Sequence, residues 1–581
     1  NWMLVLGVVV VLTSGFGRGL TRVEFATGQD SYLNPDSQIA IDNVAFQDDF
    51  GGETIVLLFS GQDGARLQDL FEGANRDELA RLHTELAAVA GVYSVVTPLT
   101  SLTWSSELVG GPTGQAALLG ALSRDAEGAD ARNADVQISL ARRGAIGPED
   151  QWFIGNPAWN ELLIYDNSGF EVGADGEIVA PAPDELDVRQ SLEGTFPNVE
   201  GGPINATAVG GIVLDGNQSL DELQSATDAA VAILDTARFD GFDMTPAGSP
   251  LYLGEINDYL RGGMLTLGLA AVVIMAVVLF LIFSVRWRLL PLLAVLFGGG
   301  GASSFLALLG SELSLVTIAG LPILIGLGID FAIQIHNRVE EEVVLDQDAN
   351  PISETVANLA PPLVAATVAG VLAFLSLRIS RVPMIRDFGV LLAIGVVVLL
   401  VVGIVVPVAA LGAREYLGRT EKRDESFVER LVVKLGGLPS SIGPVLMVVA
   451  AALFVGGVAV EGRTEIQSDP LEWISQDSPN LEAIDRLDDE SGFASTLGVL
   501  VEANNVYDQE IIDLIYGFTI DAEERAEVIA TSSLVGTMEK VIDIEGATPL
   551  PPTTSDVISA ASVLPPDIAR VLVASPDDPA G

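Results

Sequence analysis

The chain has no cysteine, two histidines and three lysines in 581 residues. Without cysteine there can be no disulfide and no thiolate metal site, and His83 and His336 are too few to build a histidine metal centre. Lysine occurs only at Lys422, Lys434 and Lys540, so 78 acidic residues face 29 basic ones that are nearly all arginine, for a formal net charge of -49. A surface of that kind repels itself in dilute buffer and is screened in concentrated salt, where the Debye length falls to about 3 Å at 1 M. The composition therefore points to a protein built for high salt, from a salt-loving archaeon. The polar stretches also lack a GxSxG elbow, a phosphate-binding glycine loop and a metal cluster. No enzyme activity, cofactor, metal or nucleic-acid partner is expected.

What the chain does have is apolar length. Its hydrophobic fraction is 49% and its mean hydropathy is +0.44, values that fit a charge of -49 only if acids and apolar residues occupy different segments. Crossing a bilayer takes roughly 20 apolar residues. Runs of that length lie at 264–284, 289–309, 314–335, 356–377, 388–411 and 442–460, with a shorter run at 2–13. The expected order is a first span at 1–16 whose beginning is missing, a polar α/β domain at 17–261, five membrane helices at 262–412, a basic linker at 413–441, a seventh span at 442–460, and a second polar domain that begins at 461–581 and is incomplete. Arg286, Arg288, Arg338, Arg414, Arg419, Lys422, Arg423, Arg430 and Lys434 put their loops in the cytoplasm and both polar regions outside, against Arg378, Arg381 and Arg386 on the other side.

The first polar region mixes strand and helix signals. ETIVLLFS (53–60), GVYSVV (91–96) and AVGGIVL (208–214) read as strands, with a helical stretch from about 65 to 89 between the first two. Ser219 with Glu222 reads as a capping box opening a helix whose apolar face is Leu220, Leu223, Ala226, Ala230, Ile233 and Ala237. The second polar region looks like the first beginning again. VEFATGQDSYLNPDS (23–37) lies on TEIQSDPLEWISQDS (464–478), so that Ser37 meets Ser478, and IDNVAFQDDFGGETIVLL (41–58) lies on IDRLDDESGFASTLGVLV (484–501). Both stretches follow a span and lead towards a strand, which argues for an internal repeat.

One residue stands out chemically. Asp330 lies inside the run 314–335, and none of the other five long runs holds an acid. A charged aspartate near the middle of a membrane helix costs about 2.5–3.5 kcal/mol on insertion scales, so such residues are usually functional. Glycines surround it. Gly320, Gly326 and Gly328 share its helix with Pro322, and Gly298, Gly299, Gly300 and Gly301 lie in the preceding run. Small residues let helices approach closely and move past one another. The acids Glu340, Glu341 and Glu342, next to Arg338, read as the end of the span in water.

GLGIDFAIQIHNRVEEE (326–342), the GSP at 248–250 and RVPMIRDFGVLLAIG (381–395), taken with the layout of one span, an outer domain, five spans and the start of a copy, resemble the RND superfamily, specifically its MMPL-type branch of hydrophobe and amphiphile exporters. The five-span block is similar to a sterol-sensing domain. The resemblance implies a multi-span α-helical membrane protein with extracytoplasmic α/β porter domains and an RND-type repeat, in the plasma membrane. It further implies a hydrophobic or lipid substrate, a proton (or sodium) as coupling ion and Asp330 as the proton relay, and it allows an assembly of identical chains. Phe331 stands where the family usually has tyrosine, so a hydroxyl partner is missing and Asp330 would work with groups in a second membrane half. Two other readings stay open. One is a Sec-associated protein-export factor, the other a non-transporting sterol or lipid sensor.

Overall fold

The structure, a computed structural model, describes residues 34–574 apart from 63, 126–127, 174–177, 200–201, 283–286, 297, 299–314, 346–350, 418–429, 431–432, 435, 438, 440–441, 463–469, 494–495 and 545. The run at 2–13, the glycines Gly299, Gly300 and Gly301, and most of the 413–441 linker lie outside the described residues. The chain divides into two compact units, Ile41–Gly254 with the residues from Trp473 on, and the residues up to Ala40 with Glu255–Glu472.

The first unit is built on a four-stranded antiparallel sheet. Its strands are β1 (Thr54–Gly61), β2 (Val92–Val96), β3 (Thr207–Leu214) and β4 (Phe242–Ala247), in the order β2-β3-β1-β4. β1 is flanked on both sides, with Leu57 opposite Gly210 of β3 and Pro246 of β4. Its side chains are buried on both faces as well. Ile55, Leu57 and Phe59 pack in one core with Leu79, Leu82 and Leu86 of the helix Gly73–Leu86 and with Ala226, Ala230 and Leu234 of the helix Leu220–Leu234. Val56 and Leu58 pack on the opposite face with Leu487 of the helix Pro479–Ser491. A strand covered on both faces needs apolar side chains at consecutive positions, which is why ETIVLLFS reads as a continuous run rather than an alternation.

The capping box at Ser219 forms as its sequence predicts. The Glu222 amide donates to Ser219 Oγ at 3.4 Å, and the Ser219 amide donates to Glu222 Oε2 at 3.0 Å. The helix ends at Leu234, so Ala237, expected on its apolar face, lies beyond it and reaches the same core from the loop.

The C-terminal segment shares a core with residues near 100. Trp104, Leu108 and Ala117 pack with Ile512, Met538, Ile542 and Val557. Arg132 is fully buried beside Asp125 and ties the two stretches together through bonds to the carbonyl oxygens of Ile542 and Thr548, the latter at 2.7 Å.

The second unit is helical. Its principal helices are Leu315–Leu345, Pro351–Leu375 and Pro383–Leu417, with Gly443–Glu461 following. Among the described residues three helical stretches are long and apolar enough to cross a membrane, Ile352–Ile379, Pro383–Glu415 and Gly443–Glu461, and the apolar stretch Thr266–Leu281 lies within the longer helix Ser249–Ile282. The runs expected at 289–309 and 314–335 both include residues outside the description. Pro322 sits inside Leu315–Leu345 without ending it.

Candidate functional site

The helix Leu315–Leu345 has two dissimilar faces. Leu324, Gly328, Ile329, Ala332, Ile335 and Val339 are buried, and Ile323, Gly326, Leu327 and Asp330 are exposed. Asp330 therefore lies on the uncovered face of its unit, where its Oδ2 accepts a hydrogen bond from Gln334 Nε2, one turn on, at 2.8 Å. In a hydrocarbon medium that neutral donor, the one found among the described residues, leaves most of a carboxylate's hydrogen-bonding capacity unmet.

The glycines divide between the same two faces. A methyl group added at Gly320 would come within 3.0 Å of Leu391 Cδ2, and one added at Gly328 or Gly298 would come within 2.5 Å or 2.7 Å of Leu399 Cδ2. These three positions let the Pro383–Leu417 helix approach closely. Leu399 fills the hollow left by both Gly298 and Gly328. Gly326 has open space around it, on the face of Asp330. Phe331 is half-buried, and its Cβ lies 3.2 Å from where a methyl on Gly403 would sit.

The end of this helix corrects the sequence expectation that Glu340, Glu341 and Glu342 finish the span in water. Glu341 is exposed, but Glu340 is 2% exposed and Glu342 7%. Glu340 is paired across the helix interface with Arg414, itself 2% exposed, and its Oε1 lies 3.5 Å from His336 Nε2. Arg414 also donates from Nε to Glu415 Oε1 at 2.9 Å. Glu342 pairs with Arg338, which donates to Glu341 at 2.9 Å. The helical spacing of His336 and Glu340 was readable in the sequence. The partner 74 residues away was not.

The other unit holds a cavity of about 250 Å³, lined on one side by Val96, Ser101, Trp104 and Leu108 and on the other by Thr537 and Lys540. Lys540, the one lysine of the two polar regions, pairs with Glu523 at 2.7 Å. Its neighbour Glu539 is buried, and burial, reinforced by Asp543 and Glu523, pushes its carboxyl from 4.5 to about 7. Sequence reasoning missed this group, since nothing local distinguishes Glu539 from the many surface acids.

No curated protein matches the chain. Residues 205–434, which hold Asp330, its helix and the facing Pro383–Leu417 helix, match the model of the MMPL family.

Proposed function

We propose that this chain is part of a proton-driven exporter of lipids or other hydrophobic molecules, of RND type, in the plasma membrane with its sheet-containing unit outside. The observation that carries the reading is Asp330, a carboxylate on the exposed face of an apolar helix that meets one neutral hydrogen-bond donor among the described residues, inside the MMPL-matched stretch. An ionisable group so placed is costly unless it gains and loses a proton or meets a partner at a repeat interface. The glycine seam supports coupling of its helix to the Pro383–Leu417 helix, because small residues let the two approach closely enough for a shift of one to be passed to the other. The mixed polar and apolar cavity supports an amphiphilic cargo. The basic residues Arg286, Arg288 and those of the 414–434 stretch support the orientation.

The test is Asp330→Asn in the complete protein reconstituted in vesicles. The variant keeps shape and removes the titrating group, so it should insert normally and lose proton-coupled export. Wild-type export by the variant would make Asp330 an aspartate without a part in transport, its carboxylate reaching the headgroup region. Sterol binding without proton flux in the unmodified protein favours the sensor reading instead.

A further inference from the structure

We infer that Glu340 and Arg414, with His336 and Glu415, form an ionic clamp that fixes the register of the Asp330-bearing helix against the Pro383–Leu417 helix, and that this register positions Asp330. The second half rests on the proposed role of Asp330, whereas the clamp itself does not.

The two helices meet along one seam. At Gly320, Gly328 and Gly395 the contact is a leucine in a glycine hollow, Leu391, Leu399 and Leu324 respectively. Such contacts set the distance between helices and hold register by van der Waals contact alone. At the end of the seam the contact changes in kind. Arg414 offers a planar fork of donors, with Nη1 on Glu340 and both Nε and Nη2 towards Glu415, the latter at 2.7 Å. Glu415, on the same helix as Arg414, holds the guanidinium in place, and the charge-assisted contact of Nη1 with Glu340 ties one helix to the other at a fixed level. The surrounding wall is apolar and includes Ile335, Val339 and Val343 from one helix and Val406 and Leu411 from the other, all buried. Arg338 pairs with Glu341 and Glu342 on the same helix, and Glu415 follows Arg414 on the other.

An ion pair sealed in an apolar wall is poorly repaid in stability compared with an apolar pair of the same volume, so its use is better explained by the specific arrangement it imposes. Ten residues separate Glu340 from Asp330, about 15 Å along the axis at 1.5 Å per residue. A slip at the clamp is carried along a rigid helix to the acid.

The chain has no cysteine, so one introduced thiol gives a clean readout. In the full-length protein carrying Val339→Cys, a buried seam position, N-ethylmaleimide should react slowly. Adding Glu340→Gln or Arg414→Gln should speed the reaction by at least about tenfold through local opening, and Arg414→Lys should speed it less. Rates unchanged in both Gln variants overturn the clamp. Positioning is tested with the paired apolar replacement Glu340→Met with Arg414→Met, made together with Glu415→Gln so that no carboxylate loses its Arg414 partner, which is expected to keep the thiol protected. Its proton-coupled transport should fall or shift in pH optimum, and Arg414→Lys alone should retain most of the activity. A paired variant that folds and transports with the unmodified pH profile shows the cluster to be structural only. If Asp330→Asn transports normally, the positioning half falls with the role of Asp330, and the thiol rates still decide the clamp.

Discussion

The helices Gln38–Phe50 and Pro479–Ser491 are both 13 residues long. Each follows a serine that accepts a backbone N–H within the first turn, Ser37 from Ala40 at 3.3 Å and Ser478 from Asn480 at 3.2 Å. Each is followed by a glycine at positive φ, Gly51 at 84° and Gly492 at 66°. After the glycines the likeness ends. ETIVLLFS becomes β1, with Ile55, Leu57, Leu58 and Phe59 fully buried between two neighbouring strands. In the matching stretch TLGVLVEA (496–503) no strand forms, and Leu497, Val499 and Leu500 are 87%, 50% and 38% exposed. A helix with its caps satisfies its own backbone locally, so similar sequence gives similar helix. A strand satisfies its backbone only through neighbours, so an apolar extended run without them stays irregular.

That contrast should be largest in core truncations. Leu57→Ala should destabilise the sheet-containing unit by about 2–5 kcal/mol, the range for a buried leucine. Leu497→Ala should change it by less than about 0.5 kcal/mol, as at exposed positions. Chemical denaturation of the purified chain in detergent, followed by tryptophan fluorescence, measures both. A large loss at Leu497 would mean that the second stretch is packed after all.

Individual carboxylates should also differ in their response to pH. Glu539, with its carboxyl raised from 4.5 to about 7, binds its proton more tightly folded than unfolded. Its contribution is complete below pH 4.5 and is lost as pH rises to about 7, an effect of up to about 3 kcal/mol. Burial raises Asp543 in the same direction. In the first region the capping hydrogen bond from Ser219 lowers Glu222, so that contribution is present above the ordinary carboxylate range and lost in acid. Denaturation between pH 5 and 8 should show falling stability, flattened by Glu539→Gln. A slope unchanged by that variant would place the titrating group elsewhere.

A smaller effect separates the two glycines. Alanine in the left-handed region costs about 1–2 kcal/mol, which Gly492→Ala should show. There the added methyl presses on the flexible end of Ile529, at 2.8 Å, and makes an ordinary contact with Val199 at 3.6 Å. At Gly51 it meets Val213 at 2.7 Å and the Leu214 carbonyl oxygen at 3.0 Å, so Gly51→Ala should lose more. Equal losses would indicate that β3 yields as readily as Ile529 does.

Much of what is local was legible in the sequence. The apolar runs, the capping box at Ser219, the strands β1 to β3 and the isolation of Asp330 all depend on residues within a few positions of one another, where periodicity and hydrogen-bonding capacity act directly. β4 was not foreseen, because Phe242–Ala247 contains Asp243 and Pro246 and has no strand pattern; its place at the sheet edge comes from pairing with β1. Glu340 was misread for the same reason. Three consecutive acids look like a solvated helix end, and only the approach of Arg414 from another helix makes burial of one of them affordable.

The sequence by itself determined which segments are apolar enough for a membrane, where helices begin and close, and that one carboxylate stands in an apolar run. The tertiary structure alone decided that β1 is sandwiched on both faces, that the C-terminal helices share a core with residues near 100, and that Leu399 fills the hollow between Gly298 and Gly328. It also decided that Glu340 and Arg414 meet in a buried pair. The physical reason is range. Helix propensity, capping and hydropathy act over a few residues of chain, whereas strand pairing, desolvation of charge and close packing depend on groups that only folding brings together.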